Sequence, residues 1–272
     1  MRGQITKAQV GEAGVRGEMR REALLQYLRV REHATVDELV GQMRVSKMTV
    51  HRDLDRLAEQ RLVRKIRGGA TLATSIVFEG DYAYREQQNR LEKAALAQRM
   101  AELVEPGMAV VLDDSSTAAS IIPFLGHKRP LTVITNGMKV IESLRRTDEI
   151  TLICLGGRYD PVAHAFFGLV CEAAVARLRA DLAIFSTSAV RGTSAYLHDP
   201  DIIRAKLAMK LAAERSVIAF DRSKVGRSAL NLFAPLREFD SVLVTEGLAP
   251  ETDQALRRDG VRLELVATGA AH

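Results

Sequence analysis

Hydrophobic residues recur at a helical period through the first sixty residues. A first helix is predicted to run to about Val30 by three leucines at helical spacing, Leu24, Leu25 and Leu28. The next segment, TVDELVGQM, begins with Thr35 and has Glu38 three residues later, which is the capping-box pattern at the start of a helix. A second helix is therefore predicted from there to about Met43.

The stretch VSKMTVHRDLDRL, residues 45–57, predicts a third helix with a polar face. Ser46 is a good N-cap, and a buried stripe is formed by Val50, Leu54 and Leu57. The following segment, RLVRKIRGGATL, has apolar residues of a short strand and a glycine pair that favours a tight turn. Three helices and a small basic hairpin predict a winged helix-turn-helix over residues 18–73, preceded by a flexible basic tail, residues 1–17.

A different alternation begins after residue 73. Residues 74–105 are predicted to form a connector helix, with charges of alternating sign and a proline-glycine stop at its end. In residues 106–272, helical patterns separate seven apolar segments: MAVVL, LTVIT, TLICL, LAIFS, VIAF, SVLVT and RLELV. Strands that are apolar on both faces and joined by helices predict an α/β domain with a mostly parallel sheet.

Positive charge is concentrated in the first quarter of the chain. The net charge is +5, with 39 Lys and Arg against 34 Asp and Glu, and residues 1–72 carry 15 of the former against 9 of the latter. A basic module on a nearly neutral larger one predicts a polyanion partner for the first module only.

Cysteine and histidine spacing indicates neither disulfides nor metal sites. The two cysteines lack a CxxC pattern, and Cys154, inside the run TLICL, is predicted to be buried. The six histidines lack ligand spacing, so we expect no metal and no cofactor. No apolar run reaches the roughly 18 residues of a membrane helix, which predicts a cytoplasmic protein without membrane contact.

The third helix supplies candidates for DNA contact, because a helix-turn-helix places its second helix in the major groove. The candidates on this helix are Ser46, Lys47, Met48, Thr49, His51 and Arg52. Phosphate contacts are expected from three residues of the wing, Arg64, Lys65 and Arg67. The alternatives are a solvated basic helix face and, for Met48, packing in the core.

Polar residues follow four of the predicted strands, where a parallel sheet binds its ligands. These effector-site candidates are Asp113, Ser115, Ser116 and Thr117 after the first strand, Thr135 and Asn136 after the second, Gly156 and Gly157 after the third, and Asp221 and Lys224 after VIAF. Hydroxyls and free N–H groups at a helix start suit a phosphate. Taken singly, each stretch could equally be a helix cap, a turn or a surface loop.

These motifs together resemble the DeoR family of bacterial transcription regulators. The N-terminal match comprises Val45, Ser46, Thr49, Val50, Arg52, Asp53, Leu54, Gly68, Gly69 and Ala70. Later matches are Arg85, Asn89, Glu92, Lys93, the Asp113 loop, Thr135-Asn136, Gly156-Gly157, Lys206 with Met209, and Asp221 with Ser223, Lys224 and Gly226. The family has a basic residue at His51, often arginine, and a glycine at Ser115, where a backbone with positive φ would be strained by serine.

The resemblance implies a repressor of a carbohydrate operon that binds double-stranded operator DNA. It also implies a domain similar to ribose-5-phosphate isomerase that senses a phosphorylated sugar or related metabolite, with Lys206 among the anchoring residues, and a homodimer or homotetramer. One alternative is a sugar-phosphate isomerase or deaminase with a DNA-binding appendage and Asp113, Asp114 or Asp221 as general base. Another is an architectural DNA-binding protein with a vestigial pocket.

Overall fold

The computed structural model describes residues 7–31, 33–60, 62–72 and 81–269. They belong to two compact units, Met1–Gly80 and Asp81–His272. The first unit has helices α1 (Lys7–Arg31), α2 (Val36–Met43) and α3 (Lys47–Glu59), and strands β1 (His33–Thr35), β2 (Val63–Ile66) and β3 (Gly69–Leu72). Its antiparallel sheet has the order β1-β3-β2. The predicted winged helix-turn-helix is confirmed.

Local sequence explains the start of α2 and the tightness of the wing. Thr35 accepts a hydrogen bond from the Glu38 backbone N–H at 3.2 Å, and the Glu38 carboxylate accepts from the Thr35 N–H at 2.7 Å, which completes the predicted capping box. In the wing, Gly68 has φ +80°, and a Cβ on Gly69 would lie 2.2 Å from the Ala34 carbonyl oxygen. Glycine is therefore needed twice, for the turn and for the close approach of β3 to β1.

Helix α1 begins at Lys7. Residues 7–17 are therefore helical, although their glycines predict a flexible tail. Glycine inside a helix costs only about 1 kcal/mol relative to alanine, and no proline interrupts this segment. The C-terminal half of α1 is anchored by three buried leucines, Leu24, Leu25 and Leu28. The remaining part of the predicted tail, residues 1–6, lies outside the described residues.

The second unit is built on a seven-stranded parallel sheet of order β15-β14-β12-β9-β4-β5-β6. Its strands are β4 (Ala109–Leu112), β5 (Leu131–Thr135), β6 (Ile150–Cys154), β9 (Ala180–Phe185), β12 (Ala213–Phe220), β14 (Ser241–Thr245) and β15 (Leu263–Val266). All seven predicted strands occur in this sheet. Alternate residues enter two separate cores, as Val111 does on one face and Val110 and Leu112 do on the other.

Helices cover both faces of this sheet. They are α4 (Tyr82–Gln87), α5 (Arg90–Glu102), α6 (Ser116–Ala119), α7 (Ile122–Leu125), α8 (Met138–Leu144), α9 (Leu169–Val175), α10 (Pro200–Ala212) and α11 (Pro250–Arg258). Two smaller sheets lack a clear signal in the sequence. They are the hairpin β7 (Arg158–Asp160) and β8 (Ala165–Phe167), and the sheet of β10 (Ala189–Arg191), β11 (Ser194–Leu197) and β13 (Asn231–Pro235).

The prediction of a single connector helix over residues 74–105 is wrong for residues 81–105, where the structure has two helices, α4 and α5. The chain breaks between α4 and α5 at Asn89, which has a left-handed backbone with φ 50°. Asparagine adopts this conformation more readily than most residues. Helix α5 then buries Leu96, Ala97 and Met100 in the core of the second unit, so it is part of the α/β domain and not a free connector. Residues 73–80 lie outside the described residues.

Cys154 is exposed, in contrast to the predicted burial. It ends β6, and β6 is one of the two edge strands of the seven-stranded sheet. A strand that is covered on fewer sides leaves apolar-looking positions open, and the sequence alone does not reveal which strand is at the edge. Among the described helices, none has the continuous apolar length that a bilayer span requires.

Candidate DNA-binding surface and effector site

The first turn of α3 is held in place by Ser46. Its hydroxyl accepts a hydrogen bond from the Thr49 backbone N–H at 3.2 Å and lies 2.9 Å from the Thr49 hydroxyl. The Ser46 hydroxyl therefore caps the helix, because it satisfies an N–H group that the helix itself leaves free. Ser46 and Thr49 fix the orientation of α3 as well as remaining candidates for DNA contact.

The polar face of α3 is open. Met48 is 72% exposed, so it is not packed in the core of the unit. His51 and Arg52 are exposed one turn further along. Lys47 is also exposed and lies 2.6 Å from a carboxylate oxygen of Asp37. Such an exposed ion pair contributes about 0–1 kcal/mol, so phosphate can compete for the lysine at little cost.

Arg64, Lys65 and Arg67 are exposed on β2 and the turn that follows it. Lys65 makes a 2.5 Å contact with Asp55 of α3. The wing therefore carries its cations on the surface and is tied to α3 by a side chain. This arrangement is suited to phosphate contacts beside the major groove.

Asp53, next to Arg52, has a structural role. It is only 2% exposed, and its carboxylate accepts from Arg20 Nε at 2.5 Å and from Arg20 Nη2 at 3.2 Å. A bidentate arginine–carboxylate pair of this kind locks α3 against α1. The Arg-Asp-Leu motif thus combines an exposed cation with two anchoring residues.

Ser115 is unstrained at the position where the family has glycine. Its φ is −78° and its ψ 144°, an ordinary extended backbone. Its hydroxyl accepts from the Ala118 N–H at 3.0 Å and donates to Asp113 Oδ1, so it caps α6. Serine is therefore well suited to the loop that follows β4.

Asp113 and Lys206 form a fully buried ion pair at the carboxyl end of β4. Lys206 Nζ donates to Asp113 Oδ2 at 2.7 Å and to the Ser186 carbonyl at 3.0 Å. Asp113 also accepts from the backbone N–H groups of Ser115 and Ser186, both at 2.9 Å. These contacts occupy nearly all of the hydrogen-bonding capacity of the Asp113 carboxylate. They also join the ends of β4 and β9 to α10.

Asp114 is buried beside this pair and less well satisfied. Its Oδ1 atom lies 3.5 Å from Lys206 Nζ. Burial raises the pKa of Asp114, and the charge of Asp113 raises it further, although the charge of Lys206 opposes both effects. The folded domain therefore holds this carboxylate at a cost in stability.

We expect Asp114→Asn to alter how the stability of the chain depends on pH. Above the ordinary pKa of about 3.9, the folded state binds more protons than the unfolded state, so wild-type stability falls as pH rises toward the raised pKa of Asp114. Asparagine removes that fall. Urea unfolding between about pH 4 and 7 should show that the free energy of unfolding of the variant increases relative to that of wild type as the pH rises.

Asp240→Asn is a matched control with the opposite sign. Burial acts to raise the pKa of Asp240, but hydrogen bonds from Ser216 and Arg262 outweigh it and lower the pKa. This variant should lose stability relative to wild type as the pH rises to about 4, and its profile should then run parallel to that of wild type up to pH 7. Parallel pH profiles for wild type and Asp114→Asn would contradict the burial argument.

The end of β5 lies against the end of β4. Thr135 accepts from the Gly137 N–H at 3.0 Å, and a Cβ on Gly137 would lie 3.3 Å from the Asp113 carbonyl oxygen. Asn136 donates through Nδ2 to the Phe166 carbonyl at 2.9 Å, which attaches the β7–β8 hairpin to this edge. The fold thus brings the first two groups of strand-end residues together.

Asp221, after β12, contacts the break between α4 and α5. Its Oδ1 accepts from Asn89 Nδ2 at 2.9 Å and from the Ser223 N–H at 3.0 Å. Lys224 follows, half-buried, at the end of a short 3-10 turn. The amine that contacts Asp113 is that of Lys206.

Gly157 makes a close backbone approach, but to its own chain. Its φ is +136°, and a Cβ there would lie 2.5 Å from the Phe167 carbonyl oxygen. Gly156 is exposed, and a Cβ on it would meet no other atom within 4 Å. The glycine pair therefore serves the β7–β8 hairpin, and its contribution to ligand binding stays a prediction.

Two cationic side chains, those of Lys93 and Arg85, lie beside this edge but were not among the predicted effector-site residues, because they do not follow a strand. Lys93 of α5 is 6% exposed and donates to Ser116 Oγ at 3.0 Å and to the Arg85 carbonyl. Arg85 donates to the Ala163 carbonyl at 3.4 Å and packs over the Tyr82 ring. Their place in the family's signature is the signal in the sequence that could have identified them.

Unsatisfied polar atoms are concentrated at this edge. Within the described residues, the buried side-chain atoms without a hydrogen-bond partner are Tyr82 Oη, Asp114 Oδ1, Asn136 Oδ1 and Asp221 Oδ2. Three of them follow β4, β5 and β12. A buried polar atom without a partner costs about 1–3 kcal/mol, so such a concentration needs a functional explanation. In the described part of the chain, no three His, Cys, Asp or Glu side chains converge as a metal site.

Comparison with known proteins agrees with this two-part arrangement. Residues 20–76 match the DeoR-like helix-turn-helix domain, and residues 88–246 match the DeoR C terminal sensor domain. This chain belongs to the DeoR family. As a DeoR-family protein it is a DNA-binding transcriptional regulator.

Two relatives of this DeoR-family chain cover nearly all of it. An uncharacterized HTH-type transcriptional regulator, YgbI, of Escherichia coli strain K12 is 31% identical over 90% of this chain and 96% of its own length. The glycerol-3-phosphate regulon repressor of Haemophilus influenzae strain ATCC 51907 / DSM 11121 / KW20 / Rd is 28% identical over 85% of this chain and 91% of its own length.

Among solved structures, ribose 5-phosphate isomerase A from Methanocaldococcus jannaschii is similar over 52% of this chain and 56% of that chain. The identity is 21% and the TM-score 0.38. The parallel order of the seven strands in this DeoR-family protein is given independently by its own backbone pairing.

Proposed function

We propose that this chain is a repressor that binds operator DNA through α3 and the wing and releases it when a phosphorylated sugar or related metabolite binds at the carboxyl edge of the parallel sheet. Membership of the DeoR family supports the two roles. The relative named as a glycerol-3-phosphate regulon repressor supports the direction of control and the phosphorylated class of effector.

One observation carries the proposal: buried cations and unsatisfied acceptors meet at one sheet edge. Lys93 and the Ser116 hydroxyl, at the start of α6, can bind a phosphate. The buried oxygens of Asp114, Asn136 and Asp221 that lack a hydrogen-bond partner can accept hydrogen bonds from hydroxyl groups. A ligand that carries a phosphate at one end and several hydroxyls is complementary to both sets of groups.

The same geometry argues against Asp113 as a general base in the alternative enzyme. Its carboxylate is 0% exposed and accepts from Ser115, Ser186 and Lys206. A general base needs a free lone pair within reach of the substrate proton. In this site Asp113 supports the loop, and the proposal assigns it no catalytic role.

Release requires that the effector bind two arrangements of the protein with different affinity. In the proposed homodimer or homotetramer, two copies of α3 contact half-sites about one helical turn apart, or a multiple of that distance. The effector favours an arrangement in which this spacing is lost. Activation would use the same parts with the preference reversed.

We expect Lys93→Gln to leave operator binding near normal and to weaken release by the effector. A hydrogen bond to a charged group contributes about 1.5–3 kcal/mol, so half-release should need on the order of ten- to a hundredfold more effector. The measurement is fluorescence anisotropy of the full chain on a duplex selected from genomic DNA, titrated with a panel of pentose and hexose phosphates.

Lys210→Gln is the control for this titration, because it makes the same change of charge on α10, where Lys210 lies 3.8 Å from Glu238. Ser116→Ala tests the same phosphate site without changing charge. Equal effector sensitivity of wild type, Lys93→Gln and Ser116→Ala would remove this pair from the site. A wild-type chain that no sugar phosphate releases would favour the architectural DNA-binding alternative.

A further inference from the structure

A cleft opens beside the Lys93–Ser116 pair, on the face of the sheet that α5 to α8 cover. Its volume is about 490 Å³, and α4 also contributes to its wall. Pockets of a few hundred Å³ are typical of small-molecule sites. Because Lys93 and Ser116 both line it, a phosphate bound by this pair would have its substituent at the entrance of this cleft.

The cleft carries an excess of positive charge. Arg90, Lys93 and Lys139 line it, together with one carboxylate, Glu86, which lies 2.6 Å from Lys139 Nζ. Lys93 is buried, whereas Arg90 is exposed and Lys139 is 39% exposed. The charge favours an anionic ligand whose most deeply held charge is at Lys93.

The rest of the wall has a polar part, lined by Tyr82, Ser120 and Ser143, and an apolar part. Ile122, Pro123 and Phe124 form one side as consecutive residues of α7, and Ala94 and Ala119 lie on α5 and α6. Ile122 and Phe124 are half-buried against the core of this face, so they keep their positions. A sugar hydroxyl placed against the α7 side would lose its water without gaining a partner there, whereas a methyl group or a deoxy carbon would gain from the contact.

We propose that the cleft selects, among phosphorylated sugars, those that carry an apolar group, such as an N-acyl or a deoxy position. This inference rests on the proposed function, because it takes the phosphate to be bound at Lys93 and Ser116. The apolar group lies against Ile122, Pro123 and Phe124. The α7 wall therefore determines specificity, and the phosphate pair provides the common anchor.

Binding to matched ligands tests the inference. The full chain is titrated by calorimetry with glucose 6-phosphate, 2-deoxyglucose 6-phosphate, N-acetylglucosamine 6-phosphate and inorganic phosphate. One extra methyl or methylene in an apolar pocket changes affinity by about 10- to 200-fold. We expect the N-acetyl or the deoxy compound to bind at least about tenfold more tightly than glucose 6-phosphate.

Two variants of α7 test whether the preference for a sugar phosphate with an apolar group depends on this helix. Phe124→Ser and Pro123→Ser should reduce it to less than about threefold and leave the affinity for inorganic phosphate unchanged. Pro123 is exposed, so its replacement keeps the test valid if Phe124→Ser fails to fold. Leu211→Ser is the control, since Leu211 is 84% exposed on α10 and does not line the cleft.

The outcomes separate the two proposals. Binding of the sugar phosphates without a preference, or a preference that survives both α7 variants, overturns the selectivity of the cleft and leaves the proposed function standing. Failure of every phosphorylated compound, inorganic phosphate included, to bind the wild-type chain overturns both.

Discussion

Arg52→Ala is expected to weaken operator binding by about ten- to a hundredfold, because a bidentate arginine contact to a base contributes about 1–3 kcal/mol. Arg52 is exposed on the second turn of α3, beside His51. Its neighbour Asp53 is the residue that holds the helix, through Arg20. The loss should therefore appear in DNA affinity and not in the melting temperature.

The measurement is anisotropy of the full chain on a duplex selected from genomic DNA, at one stated salt concentration, with circular dichroism to compare melting. Arg177→Ala is the matched control, because it removes the same charge from an exposed position in the second unit. Equal affinity of wild type, Arg52→Ala and Arg177→Ala would exclude Arg52 from the interface. An equal fall in operator affinity for both variants would show that the net charge of the chain, and not the position of Arg52, determines DNA binding.

Lys206→Met should lower the free energy of unfolding by about 3–5 kcal/mol, which is the usual effect of removing one partner of a buried ion pair. Lys206 is 2% exposed and Asp113 is 0% exposed, so water cannot replace the lost charge. The variant leaves the buried Asp113 carboxylate without its cation, with only the hydrogen bonds from Ser115 and Ser186, and urea unfolding of the full chain measures the loss.

The pH dependence of this loss has a definite sign. Burial acts to lower the pKa of Lys206, but the charges of Asp113 and Asp114 outweigh it and raise the pKa. The stabilisation is therefore complete below the unfolded pKa of about 10.4 and disappears only as the pH rises through the higher folded pKa. The titration of Lys206 itself therefore adds no pH dependence to the difference between wild type and Lys206→Met through the neutral range.

Lys139→Met provides the comparison for an exposed pair. Lys139 lies 2.6 Å from Glu86, but both side chains are about two-fifths exposed, so the expected loss is under about 1 kcal/mol. Replacing Asp113 by Asn in the Lys206→Met background should recover part of the stability, since it removes the buried charge. A Lys206→Met loss as small as that of Lys139→Met would refute the structural role of the pair.

Patterns that act within a few residues were sufficient to predict much of this fold. Thr35 with Glu38, Ser46 as a cap, and the Gly68-Gly69 turn all depend on local geometry, and each lies where the sequence indicates. The seven strands were equally clear, because both faces of each central strand are apolar. The candidate residues at the ends of β4 and β5 meet because a parallel sheet brings its carboxyl ends to one edge.

The features that sequence reasoning missed depend on distant contacts. The break at Asn89 is stabilised by Asp221, 132 residues away, so no local pattern reveals it. Lys93 looks like one more charge on a connector until α5 packs beside Ser116. Cys154 looks buried until the strand order places β6 at the edge. The flexible tail was over-predicted because glycine lowers helix stability without preventing a helix.

We propose that one chain couples DNA binding on α3 to the binding of an anionic sugar at the sheet edge. Linkage requires that the effector and the operator weaken each other by the same factor. Calorimetric titration of the full chain with its tightest-binding sugar phosphate, in the presence and absence of saturating operator duplex, tests this directly. We expect the sugar phosphate to bind more weakly with DNA present, by the same factor by which the effector weakens operator binding. Identical sugar-phosphate affinity with and without DNA would rule out coupling between the two sites.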